Sequence, residues 1–244
     1  MRFNVKILFP GFSGKLSTGY MGWGTWAYIT DGVNKIMLDT GFVGLRKDYP
    51  TILSANGLKA EDINLVLLTH LHFDHAVNVD LYPNATFVIS RKEWEYAHNP
   101  SCEDRFIDQA ALSALRYRKV RLVEDGETIV PGITAMLTPG HTPGCCTYLL
   151  HQDNGEVWAL AGDAAKNRKE LALEGIQMTL NKEQTVNSIH KIRKIASRVL
   201  PGHDGWLRIE GEKIIPEEEN MIKIVFGQGI TVNNGKKEIT LQMD

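Results

Sequence analysis

One short segment constrains this chain more than any other. Thr69-His70-Leu71-His72-Phe73-Asp74-His75 places three imidazoles and a carboxylate within residues 70–75. Ionisable groups at that density beside an apolar run are costly unless something binds them, and histidine is a frequent metal ligand. The preceding run, Ile63 to Leu68, has no helical period and reads as a short buried strand, so the cluster stands at a strand's C-terminal end. In a tight loop His70 and His72 point to one place, while Asp74 and His75 turn toward a neighbouring one. One loop then serves two ions. The competing reading is a set of surface histidines beside a helix cap.

The second half of the chain repeats this placement. His141 lies in Thr138-Pro139-Gly140-His141-Thr142-Pro143-Gly144, a rigid turn after the strand Ile133 to Leu137. Asp163 follows the strand Val157 to Leu160 in Ala161-Gly162-Asp163, and its two oxygens suit it to bridging two cations or, alternatively, to capping a helix from Ala164. His203 sits in Pro201-Gly202-His203 after an apolar strand that a helix over Lys182 to Ser197 leads into. Asp39 ends the strand Val33 to Leu38, where it can accept a hydrogen bond from a ligating imidazole or cap the turn. His98, His151 and His190 lie in polar surroundings and read as surface residues. Lys166, with Arg168 and Lys169, follows Asp163 closely and can pair with a substrate carboxylate or phosphate, against the simpler reading of solvated lysines.

Around these motifs the chain reads as one domain over residues 1–244, with a β-rich tail from about 217. At 244 residues and 43% hydrophobic it can bury a substantial core, and no Pro/Gly/Ser linker divides it. A formal charge of −2 offers no general attraction to nucleic acid or an anionic membrane. Cys102, Cys145 and Cys146 make no even disulfide framework, which suits a reducing cytoplasm. Neither a signal-peptide core at Met1 to Pro10 nor a bilayer-length apolar span is present, so a soluble, cytoplasmic protein is expected. Gly11 to Gly24, with Tyr20, Met21 and Trp23, reads as a loop that either closes over a site or packs its aromatics on the first sheet. Helices are expected at about Gly44–Asn56, Val77–Leu81, Arg91–Ala97 and Asp104–Tyr117. Strands are expected at Phe3–Phe9, Thr25–Ile29, Thr86–Ile89, Val120–Leu122 and Glu127–Val130. The tail, Ile222 to Met243, alternates around Asn233-Asn234-Gly235 as a hairpin that packs on the domain or on a second copy, as a homodimer; alternation alone leaves both open.

In combination, Asp39, His70-x-His72-x-Asp74-His75, His141 in Thr-Pro-Gly-His, Asp163 in Ala-Gly-Asp and His203 in Pro-Gly-His resemble the metallo-β-lactamase superfamily, in the family's order and over roughly Thr25 to Trp206. That resemblance implies an α/β fold, an αββα sandwich of two mixed sheets with helices on the outer faces. It also implies that His70, His72 and His141 hold one metal, that Asp74, His75 and His203 hold a second, and that Asp163 bridges them. Nitrogen and oxygen ligands without thiolate suit two divalent ions, zinc first, with iron, manganese or cobalt also accommodated. Ions about 3.5–4 Å apart lower the pKa of a shared water toward 7, and the hydroxide attacks an ester or lactone, with Asp74 and Asp163 as catalytic carboxylates. The loops look like those of the N-acyl-homoserine lactonases. Two departures are Lys166, where those enzymes commonly carry Tyr, and Ala76-Val77-Asn78 in place of Gly-Gly-Asn. Phosphate-ester or phosphodiester hydrolysis, thioester hydrolysis and a non-hydrolytic di-iron redox or metal-sensing role are the alternatives.

Overall fold

Alternation along the strands decides the layers, because successive side chains of a strand leave opposite faces of its sheet. Ala27, Ile29, Ile36, Leu38, Leu67 and Val88 face a core shared with Ile133, Ala135, Cys146, Tyr148, Leu150, Leu160 and Leu200. Their neighbours Trp26, Met37, Val66, Phe87 and Ile89 face outward onto helices Tyr49–Ala55, Arg91–His98 and Gln109–Leu115. On the other side Leu149, Ala159, Ala161 and Val199 face helix Lys182–Ile195 through Ile189 and Ile192. The result, in this computed structural model, is four layers: helix, sheet, sheet, helix. The structure describes residues 3–232 and 235–243.

The first sheet has six strands in the order Asn4–Phe9, Trp26–Thr30, Lys35–Leu38, Leu65–Leu67, Thr86–Ser90, Lys119–Val123. Its first two pairings are antiparallel and its last three parallel. The second has seven, in the order Lys213–Pro216, Leu207–Glu210, Arg198–Pro201, Val157–Gly162, Cys146–His151, Ile133–Leu137, Thr128–Val130. Within it Val157–Gly162 and Arg198–Pro201 run parallel, and Ile133–Leu137, two antiparallel steps away, shares their direction. Both sheets are mixed, as expected. Among the described residues no helix is long and apolar enough to cross a membrane.

Several elements differ from the sequence-based expectation. The helix placed over Gly44–Asn56 is a 3-10 turn, Val43–Leu45, followed by a helix over Tyr49–Ala55. Pro50 stands in the first turn of that helix, the place where its missing N–H costs nothing. The helix placed over Asp104–Tyr117 begins only at Gln109, capped by the Asp108 side chain. Residues 104–108 instead pair with the histidine loop: Phe73 N donates to Phe106 O (2.9 Å) and Asp108 N to Leu71 O (3.0 Å). Asp, Phe and Ile are weak helix formers, so this stretch is free to pair, and the helix starts at its Asp108 cap. A second-sheet edge hairpin, Leu207–Glu210 with Lys213–Pro216, was not anticipated. In the tail Met221–Val225 and Glu238–Gln242 pair as a two-stranded sheet, while Asn233 and Asn234 lie outside the described residues.

Leu160 lies at the centre of the inter-sheet core. Leu160→Ala is expected to lower unfolding stability by about 2–5 kcal/mol in urea titrations. Tyr117→Ser, at a fully solvated position, should stay within about 0.5 kcal/mol of the parent.

Candidate metal centre

Five strand ends meet at one edge of the sandwich. Asp39 follows Lys35–Leu38, the His70 to His75 loop follows Leu65–Leu67, His141 follows Ile133–Leu137, Asp163 follows Val157–Gly162, and His203 follows Arg198–Pro201. Because these strands run in one direction within each sheet, their C-terminal loops share an edge. In the first loop a single helical turn, Phe73–Ala76, starts directly after His72 and swings Asp74 and His75 away from the direction of His70 and His72. Two strand-end loops approach so closely that only glycine fits at position 202, where a Cβ would lie 2.0 Å from Asp163 Oδ1.

The side chains converge on two adjoining points. His70, His72 and His141 form one group, and Asp74, His75 and His203 another, each offering ligand atoms within 4.8 Å of one another. His72 Nδ1 and His141 Nε2 are 3.0 Å apart. Asp163 lies between the groups, with Oδ2 3.2 Å from His141 Nε2 and Oδ1 3.3 Å from both His75 Nε2 and His203 Nε2. Asp74 Oδ2 is 3.5 Å from His203 Nε2 and 3.8 Å from His75 Nε2. All seven side chains are buried. His70 Nε2, His75 Nε2 and Asp163 Oδ1 have no hydrogen-bond partner although they are sealed from solvent. Unpartnered buried polar atoms are costly, and three aimed at one centre fit a bound cation. These closely spaced His/Asp clusters suit a dinuclear metal site.

Each imidazole is held from behind. His70 Nδ1 meets Thr69 Oγ1 (3.1 Å), His72 Nε2 meets Asp104 Oδ2 (3.1 Å), His75 Nδ1 meets Asp39 Oδ2 (2.7 Å), His141 Nδ1 meets Met178 O (2.9 Å), and His203 Nδ1 meets Trp23 O (2.8 Å). Carbonyl and carboxylate oxygens only accept, so the outer nitrogen carries the proton and the inner one presents its lone pair. Thr69 Oγ1 spends its own proton on Asp39 Oδ2 (3.0 Å) and so accepts from His70. Asp39, at φ 52°, also accepts from Thr69 N at 2.8 Å.

Electrostatics follow from this crowding. Burial, reinforced by the surrounding imidazoles, drives the His70 pKa well below its ordinary value, and burial does the same to His141. Burial also opposes charge on His75, but Asp163, Asp74 and Asp39 outweigh it and raise that pKa well above normal. Asp163 is held well below the usual carboxylate range because His203, His141 and His75 overcome its burial. Asp104 falls to about 2: its burial is outweighed by His72 and by donors from Phe106 N and Tyr96 Oη.

Sequence reasoning missed three supporting carboxylates. Asp104 was placed inside a helix. Glu93 is wholly buried and accepts from Leu71 N (2.9 Å) and Thr142 Oγ1 (2.6 Å), joining the loop of His70 and His72 to that of His141. Its signal was Ser90-x-x-Glu93, a capping-box pattern in which Ser90 indeed caps the helix while the glutamate turns to the site. Asp204, adjacent to His203, takes Arg168 in a two-pronged pair at 2.8 Å. Lys166 is buried rather than solvated, with Nζ 3.0 Å from Glu170 Oε1 but out of line for a hydrogen bond. Lys169 stands in solvent beside Glu174, and His98, His151 and His190 are exposed as expected. A cavity of about 440 Å³ opens over the centre, lined on one side by Tyr20, Phe73 and Phe106, on another by Met178 and Leu180, and also by Lys15, Lys166 and Lys169.

The fold and this constellation define the class. A family model, the metallo-beta-lactamase superfamily, matches residues 23–209, and the chain belongs to that superfamily. An N-acyl homoserine lactonase of Bacillus cereus is 29% identical over 171 residues, 68% of this chain and 66% of that protein. The chain thus spans just under two thirds of the relative's length. Among solved structures, AidC, a dizinc quorum-quenching lactonase in complex with a product, superposes with a TM-score of 0.68 at 21% identity, covering 82% of this chain and 81% of that one. A "probable metal-dependent hydrolase" from Staphylococcus aureus gives 0.72 at 16% identity, covering 88% and 97%.

Glu93→Ala should orphan the Leu71 and Thr142 donors and lower stability by about 1–3 kcal/mol for each. Thr142→Val, which leaves the Leu71 bond intact, should cost less in the same denaturant titration.

Proposed function

We propose that this protein is a dinuclear metal-dependent hydrolase of small carboxylic esters and lactones. The observation that carries the reading is the set of inward-facing, unpartnered ligand atoms between the two sheets. In this reading His70, His72 and His141 hold one ion, Asp74, His75 and His203 hold the other, and Asp163 joins them. When bound, two such ions lower the pKa of water and polarise a carbonyl oxygen. Zinc is the preferred metal, since the donors are nitrogen and oxygen without thiolate, with iron, manganese or cobalt as chemically allowed substitutes.

The chain's own residues do the rest. Asp39, Asp104 and the carbonyls of Trp23 and Met178 keep the imidazoles in the tautomer that ligates. The aromatic and aliphatic cavity wall accepts an apolar acyl group and excludes water from it. Lys166, buried at the cavity, provides an ammonium for a substrate oxygen. Both ligand-bearing halves share the inter-sheet core, which supports reading the chain as one catalytic domain. Unpaired Cys102, Cys145 and Cys146 support a cytoplasmic location. The likeness to N-acyl homoserine lactonases makes an acylated lactone the leading substrate class. A phosphate ester is the second reading, favoured by Lys15, Lys166 and Lys169 along the cavity.

Elemental analysis of purified protein should find about two divalent ions per chain. His72→Ala and Asp163→Ala should abolish turnover. Metal-free protein with full activity would refute the proposal. Parallel panels of acylated lactones, simple esters and phosphodiesters separate the two substrate readings, and activity confined to phosphodiesters would remove the lactone.

A further inference from the structure

The glycine-rich segment between the first two strands carries a small hairpin, Lys15–Leu16 paired with Gly19–Tyr20. Its base is bound to the site. Phe12 and Trp23 exchange backbone hydrogen bonds at 2.9 Å, Gly24 N donates to Asp74 O (3.1 Å), and Thr25 N donates to Gly202 O (2.7 Å). Trp23 packs among Phe9, Phe12 and Phe42 with ring centroids 5.0–5.6 Å away, as an ordinary loop aromatic would. Tyr20 does something different. Its ring stands edge-on to Phe73 at 5.8 Å and beside Phe106 at 6.2 Å, lining the cavity, and its hydroxyl donates to Asp74 Oδ2 (3.3 Å). That oxygen is the one turned toward His75 and His203. The phenol therefore ends at the reacting centre.

The sequence makes room for it at one position. A Cβ on residue 22 would lie 2.4 Å from the Tyr20 hydroxyl and 2.8 Å from Phe12 O, so Gly22 permits both the inward pose and the pairing of the loop's base. A phenol is un-ionised at neutral pH and offers one O–H donor. Resting on the hydrolytic reading above, we propose that Tyr20 is a catalytic residue, donating its O–H as a hydrogen bond to the substrate's ester or lactone oxygen and setting which acyl groups fit against Phe73 and Phe106. The single O–H, which rests on Asp74 Oδ2 in the structure, turns to the substrate oxygen when substrate binds; no proton leaves the phenol, and the bond strengthens as negative charge grows on that oxygen.

Tyr20→Phe deletes only the oxygen and keeps the ring contacts, while Gly22→Ala keeps the phenol but displaces it. Holoprotein of each is assayed on a panel of lactones and phenyl esters of graded acyl length, alongside metal content and the Kd for hexanoate followed through the visible spectrum of Co(II)-loaded protein. Both variants should keep the parental metal content, lose about 10–100-fold in kcat with smaller changes in KM, and bind hexanoate more weakly. Gly22→Ala should in addition alter the acyl-length preference. Parental kcat and hexanoate affinity in Tyr20→Phe would overturn the assignment while leaving the hydrolase intact. Loss of one metal ion per chain in Tyr20→Phe would overturn it too, since the phenol would then serve Asp74. A parent holoprotein inactive on the whole panel would overturn the hydrolytic reading and this inference with it.

Discussion

Everything at this edge of the molecule depends on donor atoms being forced to face one another. Five imidazoles and two carboxylates sit in a buried junction, their inner nitrogens and carboxylate oxygens 3.0–3.8 Å apart. Attraction between the imidazoles and the carboxylates offsets part of the desolvation of this cluster, and a bound cation compensates for the rest. The outer nitrogens show that the arrangement is built and not incidental, for each has an oxygen behind it.

The sandwich supplies the rigidity. Ligands come from four strand-end loops on two sheets, with Asp39 supporting them from a fifth, so the site exists only while the sheets keep their spacing and register. The core from Ile29 and Leu67 across to Tyr148 and Leu160 sets that spacing. Tyr148 goes further: its hydroxyl, carried on the second sheet, donates to Leu68 O (2.8 Å) in the first, directly before the histidine loop. Glu93 and the pairing of residues 104–108 with Leu71 and Phe73 finish the frame from the helical side. Stability and site geometry are thus the same set of contacts.

Much of the fold was legible because strand burial imposes its own pattern. Apolar runs such as Ile133 to Leu137 and Val157 to Leu160 announced buried strands. Legibility failed where long-range contacts compete with local preference. Asp104 to Asp108 was expected to open a helix but pairs with the histidine loop. Tyr20 lies in a glycine-rich loop whose pairing no periodicity reveals.

By itself the sequence determined which groups are available: histidines and aspartates just past apolar strands, with glycine and proline to turn the chain, because ligand chemistry and strand patterning are written residue by residue. Only the tertiary structure decided which nitrogen of each imidazole faces inward, that Asp104 stands behind His72 while Glu93 ties the loops of Leu71 and Thr142 together, that Lys166 is buried, and that Tyr20 reaches Asp74. Those are relations between segments far apart in the chain, set by packing of two sheets and their helices, and no local pattern encodes them.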